Sequence, residues 1–134
     1  RVIFSHNKVE SCRKMREAVP GLRTMLWIGG DVPEIQAKFR QAAAEEFQGL
    51  DQVQLHLHAA PSAGNGVGYL MDEAFLREAL ALTRERHIDL EVLPFAFDCA
   101  SLSGLLDLGI RWYATDEPKR FTACVQEYFG ATAE

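Results

Sequence analysis

Two histidines stand two residues apart in a segment, residues 52–58, in which apolar and polar side chains alternate strictly. Because successive side chains of a strand point to opposite faces, His56 and His58 should point to the same face. An H-x-H pair on a strand can bind zinc, so one hypothesis is a metal-dependent hydrolase that uses both imidazoles. We favour a pair of hydrogen-bonded pocket histidines without metal, because no cysteine or carboxylate stands at the usual ligand spacing from them.

A glycine-rich loop follows this segment and contains Gly64, Asn65, Gly66 and Gly68. Glycines between a strand and a helix can expose backbone N–H groups to a phosphate, so these residues are candidates for a phosphate-binding loop. The spacing differs from G-x-G-x-x-G, and no acidic residue follows at a strand end about 20 positions later, as a dinucleotide site requires. We therefore favour an ordinary loop over the strand ends.

Three more residues, Ser5, Trp27 and Phe95, stand at or near the ends of predicted strands. The carboxyl ends of parallel strands meet on one side of a sheet, where α/β proteins bind their substrates. We therefore predict one substrate pocket, with the glycine-rich loop at its rim, lined by Ser5, Trp27, His56, His58 and Phe95. Trp27 and Phe95 could equally be core residues, and Ser5 could belong to a turn in which Asn7 caps the next helix.

Five apolar segments alternate with helical segments along the chain. The predicted strands are residues 1–4, 23–28, 52–58, 90–96 and 110–114. Between them, apolar residues recur at helical spacing, and Asp31, Asp98 and Gly109 stand where helices are expected to begin or end. Strands separated by helices of this length need crossover connections and form a parallel sheet.

Two architectures fit this pattern. One is the carboxyl-terminal part of a TIM (β/α)8 barrel, and the alternative is a complete five-stranded, flavodoxin-like doubly wound sheet. In both, residues 1–134 form a single α/β unit. A part-barrel would leave apolar strand edges in water, so we expect a missing N-terminal barrel portion or a second chain to cover the first strand. The strand-like run that starts directly at Arg1 also suggests residues upstream.

The composition is that of an ordinary globular domain, with 134 residues, 48% of them hydrophobic and 25% charged. The net charge is −5 and no stripe of lysine and arginine occurs, so we expect no nucleic-acid partner. No apolar run approaches the roughly 20 residues that span a bilayer, so we expect no membrane span.

The three cysteines, Cys12, Cys99 and Cys124, each stand in a helical apolar pattern, without C-x-x-C spacing. We predict buried free thiols rather than a disulfide or metal ligands. Free thiols favour a reducing, cytoplasmic compartment.

Three segments carry a resemblance to a known family. Residues 108–121 (LGIRWYATDEPKRF) resemble the closing segment of the glycerophosphodiester phosphodiesterases, whose phospholipase C-like barrels end in a pattern like L-G-V-D-G-I-x-T-D-x-P. Residues 2–7 (VIFSHN) resemble the family's fifth strand, V-x-x-S-F-[DN]. Residues 19–27 (VPGLRTMLW) are similar to the helix end and strand that follow it. The order and spacing of these pieces match over most of the chain.

The resemblance implies hydrolysis of a small phosphodiester substrate, a glycerol-3-phosphate diester, to an alcohol and glycerol 3-phosphate, with a divalent cation (Mg²⁺ or Ca²⁺) as cofactor. The family's catalytic parts are a His-Arg pair, a Glu-x-Asp metal pair, a second His and a Glu-x-Lys, and neither the His-Arg pair nor the Glu-x-Asp pair occurs here. The family strand W-T-V-N is replaced by residues 94–97 (PFAF), so Pro94 stands at the position of the pocket tryptophan.

The resemblance therefore implies that this chain forms a substrate-side wall, binds no metal by itself and is inactive alone. The alternative is a self-contained, non-catalytic α/β binding domain that uses the loop after His58.

Overall fold

The computed structural model describes residues 2–60, 68–96 and 98–132. Strands and helices alternate along these ranges, as predicted: β1 (Ile3–His6), α1 (Val9–Ala18), β2 (Arg23–Ile28), α2 (Val32–Ala44), β3 (Gln52–Leu57), α3 (Glu73–Glu85), β4 (Asp89–Pro94), α4 (Cys99–Leu108), β5 (Trp112–Tyr113) and α5 (Pro118–Thr132). Within the described ranges, none of the helices combines the length and the apolar character that crossing a membrane requires.

The five strands form one parallel sheet in the order β1-β2-β3-β4-β5. The predicted α/β class with parallel strands is confirmed. Strands that follow each other in the chain are neighbours, as in consecutive units of a (β/α)8 barrel, whereas a flavodoxin-like sheet has the order 2-1-3-4-5. The strand order therefore favours the part-barrel architecture, with β1 at an edge of the sheet.

The core lies on one face of the sheet. Alternate residues of the central strands are buried there, among them Leu26, Leu55 and Val92, and apolar side chains of α1 to α4 pack against them. Right-handed crossovers between sequential neighbours place their helices on the same side. The opposite face, which we call the open face, carries the other alternate residues: Ile3, Ser5, Arg23, Met25, Trp27, Gln52, Gln54, His56, Asp89, Glu91, Leu93 and Trp112.

The first strand begins later than predicted, at Ile3, and ends at His6. The N-cap of α1 is Lys8 rather than Asn7, so the predicted Asn7 cap is wrong. The backbone N–H of Lys8 donates to Nδ1 of His6 at 3.1 Å. The imidazole thus takes part in the turn that the asparagine was expected to organise.

Other helix boundaries follow the predicted residues. The Asp31 carboxylate accepts a hydrogen bond from the backbone N–H of Glu34 at 2.9 Å, and Asp98 accepts one from Ser101 at 2.9 Å. These bonds satisfy N–H groups that the first turn of a helix leaves unpaired. Gly109 ends α4 with a φ of 100°, which only glycine adopts without strain.

A disulfide joins Cys99 and Cys124, so the prediction of free thiols is wrong for these two residues. It holds for Cys12, which is buried and unpaired and whose thiol pKa is raised by burial. Cys99 begins α4 and Cys124 lies in the helix packed beside it, with 5.1 Å between their Cα atoms. The two cysteines are 25 residues apart in the sequence, and only the packing of α4 against α5 brings them together. The reducing compartment inferred from three free thiols loses that support.

Candidate functional site

Four rings meet on the open face where β2, β3 and β4 end, and we call them the aromatic cluster. The rings of Trp27 and His56 stack, with centroids 5.4 Å apart and planes 4° apart. Phe95 lies edge-to-face against His56, at 5.9 Å between centroids, and stacks on His58 at 5.2 Å. The structure therefore brings together four of the five residues predicted to line a pocket.

The face of His56 agrees with the alternation in the sequence. Val53, Leu55 and Leu57 are fully buried on the helix side of β3. His56 lies between Leu55 and Leu57 in the strand and so points to the open face. The predicted strand register is confirmed, and the enclosure of the aromatic cluster in a substrate pocket stays a prediction.

Gly29 allows the imidazole of His56 to lie against the end of β2. A Cβ atom on residue 29 would stand 2.9 Å from Nδ1 of His56 and 3.5 Å from the ring of Trp27. Real Cβ atoms do not approach a neighbour that closely, so a larger residue would displace one of the rings. Gly29 was not among the predicted site residues, although the Gly29-Gly30 pair after a strand is a visible signal in the sequence.

His58 contacts Gly30, which follows Gly29 in the turn after β2. Its Nε2 atom lies 3.1 Å from the carbonyl oxygen of Gly30, so Nε2–H is the donor. Gly30 has a φ of 117°, in the region that favours glycine. The turn after β2 therefore contacts both histidines, one through each of its glycines.

A polar network lies below the aromatic cluster on the same face, and Glu91 of β4 is its centre. The carboxamide N–H of Gln52 donates to Oε1 of Glu91 at 2.8 Å, and that of Gln54 donates to Oε2 of Glu91. Oε1 of Gln54 in turn lies 3.1 Å from Nε2 of His56. Gln54 thus connects the Glu91 carboxylate to the imidazole of His56.

The network continues to the start of the strands. A guanidinium N–H of Arg23 donates to Oε1 of Gln52 at 3.3 Å and to the Asp89 carboxylate at 2.5 Å. None of these network residues was predicted as a site residue. The signal was the alternation itself, because Gln52 and Gln54 alternate with apolar residues in phase with His56, and residues 89–92 (DLEV) alternate in the same way.

The surroundings of His56 favour its neutral form. Burial lowers the pKa of the imidazole, and the positive charge of His58 lowers it further. Burial among aromatic rings removes the water that would stabilise the charge of a protonated imidazole. We therefore expect His56 to act as a neutral hydrogen-bonding group near pH 7.

The remaining predicted site residues lie elsewhere. Ser5 is exposed on β1, next to Met25 of β2 in the register, and lies outside the aromatic cluster. Gly68 is buried, and its carbonyl oxygen accepts a hydrogen bond from the backbone N–H of Ala60 at 2.9 Å. The candidates Gly64, Asn65 and Gly66 lie outside the described residues, so a phosphate-binding role of this loop stays a prediction.

The donor atoms near the aromatic cluster do not fit a divalent cation. Nε2 of His56 faces Gln54 and Nε2 of His58 faces the backbone, while the Glu91 carboxylate accepts from two carboxamides. In the part of the chain that the structure describes, no three His, Cys, Asp or Glu side chains are grouped so that they could hold a metal ion. A cation of the kind the resemblance implies would need ligands from other residues.

Comparison with known proteins identifies one related sequence. The chain is 37% identical over 89 residues to the PolC-type DNA polymerase III of Bacillus subtilis. The aligned part is 63% of this chain and only 6% of that polymerase, so the chain spans a small fraction of the relative's length. No protein-family model matches the chain. No solved structure matches it significantly.

Proposed function

We propose that this chain forms the substrate-side wall of a barrel that resembles the glycerophosphodiester phosphodiesterases. The proposed reaction is hydrolysis of a glycerol-3-phosphate diester to an alcohol and glycerol 3-phosphate. The observation that carries the proposal is the position of the aromatic cluster, Trp27, His56, His58 and Phe95, at the carboxyl ends of three sequential parallel strands. In (β/α)8 barrels this end of the strands is where active sites are built.

The chemistry of the open face suits substrate binding. The flat surfaces of Trp27 and Phe95 offer contact area for the carbon atoms of a small diester, and the imidazoles of His56 and His58 offer hydrogen bonds to its hydroxyl groups. The described residues include no group of three His, Cys, Asp or Glu side chains that could hold a metal ion. In this proposal the catalytic groups come from a missing N-terminal barrel portion or a second chain.

Exposed apolar side chains support a covering partner for the sheet. Val2 is 75% exposed beside β1, Ile3 is 44% exposed on the open face, and Trp112 of β5 is 48% exposed on the same face. Apolar groups at the two edges of a parallel sheet are normally covered by further strands or helices. Closure of a barrel by additional βα units would cover both edges at once.

The proposal is tested on the complete polypeptide encoded by the gene, with a diester of glycerol 3-phosphate and Mg²⁺ or Ca²⁺. Release of glycerol 3-phosphate is measured by an enzyme-coupled assay. Trp27→Ala should raise KM by about tenfold, because the substrate loses contact with an aromatic side chain. Trp112→Ala is the matched control, since Trp112 lies on the same face but on the edge strand, and it should leave KM within about twofold of wild type.

The proposal fails if the folded complete polypeptide releases no glycerol 3-phosphate with either cation. It also fails if Trp27→Ala and Trp112→Ala behave alike. The first result would favour a non-catalytic α/β binding domain, and the second would show that the substrate does not bind at Trp27.

A further inference from the structure

We infer that Glu91 is a positioning residue for His56. Through the carboxamide of Gln54 it holds the imidazole in the Nε2–H tautomer, so that Nδ1 is the acceptor that the aromatic cluster offers to a ligand hydroxyl group. The identity of that ligand rests on the proposed function, whereas the tautomer depends only on the network of this chain.

The orientation of Gln54 follows from the chemistry of its two neighbours. An ionised carboxylate only accepts hydrogen bonds, so the NH₂ group of Gln54 must face Oε2 of Glu91. Oε1 of Gln54 then faces Nε2 of His56, at 3.1 Å. Since an amide oxygen only accepts, Nε2 must carry the hydrogen, and Nδ1 of the neutral ring must be the unprotonated nitrogen.

A second carboxamide supports the same orientation of the network. The NH₂ group of Gln52 donates to the other oxygen of Glu91, at 2.8 Å. Oε1 of Gln52 accepts from the guanidinium of Arg23, which can only donate. Glu91 is therefore an acceptor for two donors, and the direction of each hydrogen bond from Arg23 to His56 is determined.

Burial makes the reversed arrangement unfavourable. Gln54 is 8% exposed and Gln52 is 2% exposed, so water does not replace a lost partner. A flipped Gln54 would turn its oxygen toward the Glu91 carboxylate and its NH₂ group toward Nε2 of His56. An unsatisfied or repelled polar group in a buried network costs far more than the hydrogen bond itself contributes.

The rings around His56 fix the plane of the imidazole but not the position of its hydrogen. Trp27 stacks on one side of the ring and Phe95 lies against it edge-to-face. Nδ1 faces Gly29, where a Cβ atom would stand 2.9 Å away, so the lack of a side chain at residue 29 leaves Nδ1 uncovered by that residue. Because burial lowers the pKa of His56 and the ring is neutral near pH 7, the tautomer decides whether this nitrogen donates or accepts.

The test is the tautomer of His56, measured by ¹⁵N NMR of the imidazole nitrogens in the complete polypeptide at about pH 8, without substrate. The His56 signals are identified by their loss in His56→Gln. In the wild-type protein we expect the Nε2–H form to exceed the Nδ1–H form by about tenfold. In Glu91→Gln this ratio should fall severalfold, because a carboxamide at residue 91 can also donate and allows Gln54 to flip.

Two further variants complete the test. Glu85→Gln is the matched control: it makes the same Glu-to-Gln change at the exposed end of α3, outside the network, and it should leave the tautomer ratio unchanged. Gln54→Met removes the link to His56 and keeps the Glu91 carboxylate, so it tests the inference even if Glu91→Gln does not fold. It should lower the ratio as Glu91→Gln does.

A wild-type ring that is mainly Nδ1–H would overturn the inference. An unchanged ratio in Gln54→Met, or an equal change in Glu85→Gln and Glu91→Gln, would do the same. The expected ratios in a polypeptide that hydrolyses no phosphodiester would contradict the proposed function alone, so the two failures are distinguishable.

Discussion

The backbone of Gly29 and the imidazole of His56 approach each other so closely that a Cβ atom on residue 29 would stand 2.9 Å from Nδ1. The contact joins the turn after β2 to the end of β3. The same imidazole stacks on Trp27, so a side chain at position 29 would require a ring to move.

We predict that Gly29→Ala displaces His56 from Trp27. The added methyl group should destabilise the protein by about 1 kcal/mol through overpacking and should move the pKa of His56 back up as the ring becomes more hydrated. NMR titration of His56 and urea unfolding would measure both effects. Gly130→Ala is the matched control, because a Cβ there meets nothing within 4 Å. An unchanged His56 titration in Gly29→Ala would contradict the prediction.

We predict that the stability of the fold depends on pH through His56. Burial and the charge of His58 lower the pKa of His56 below its ordinary value of about 6.5. As the pH falls through 6.5, the unfolded chain then binds more protons than the folded chain, so protonation favours unfolding. The contribution of neutral His56 to the free energy of unfolding should be fully present above about pH 6.5. It should decrease as the pH falls toward the pKa of His56 in the folded state.

Urea unfolding of the wild-type protein and of His56→Phe, measured across this pH range, would check the dependence. The free energy of unfolding of the wild-type protein minus that of His56→Phe should decrease as the pH falls below about 6.5. A difference that is constant from about pH 8 down to pH 5 would show that His56 is not the responsible group.

We predict that the disulfide between Cys99 and Cys124 stabilises the packing of α4 against α5. Cross-linking residues 25 apart restricts the unfolded chain and should contribute about 3 kcal/mol to the free energy of unfolding. The double variant Cys99→Ser, Cys124→Ser should lose this amount, and a reductant should destabilise the wild-type protein but not the variant. Cys12→Ala should keep its sensitivity to reductant, since Cys12 takes no part in the bond. Detection of three titratable thiols in the unfolded, unreduced protein would rule the bond out.

We predict that the isolated 134-residue chain shows no metal-dependent hydrolysis of glycerophosphodiesters. Its described residues contain no group of three ligands for a metal and no acid–base pair beside one. The measurement is release of glycerol 3-phosphate by the purified chain with Mg²⁺ or Ca²⁺. Turnover that disappears when one of the chain's own residues is substituted would show that the chemistry lies within this chain.

Local features of the sequence determined several elements directly. The alternation in residues 52–58 places His56 opposite Leu55 and Leu57 whatever surrounds the strand, because a strand has a period of two. Asp31, Asp98 and Gly109 mark helix ends because capping depends on a few neighbouring residues. The repeated alternation of strands and helices likewise requires crossovers, and hence a parallel sheet.

Only the tertiary structure decided which strands are neighbours and which side chains meet. The partners Gln54 and Glu91 are 37 residues apart, and Cys99 and Cys124 are 25 apart. Their contacts depend on strand register and helix packing, which arise from burial of the whole core rather than from local preference. For the same reason the sequence pattern allowed both a barrel segment and a doubly wound sheet, since the two have the same elements and differ only in how those elements are placed.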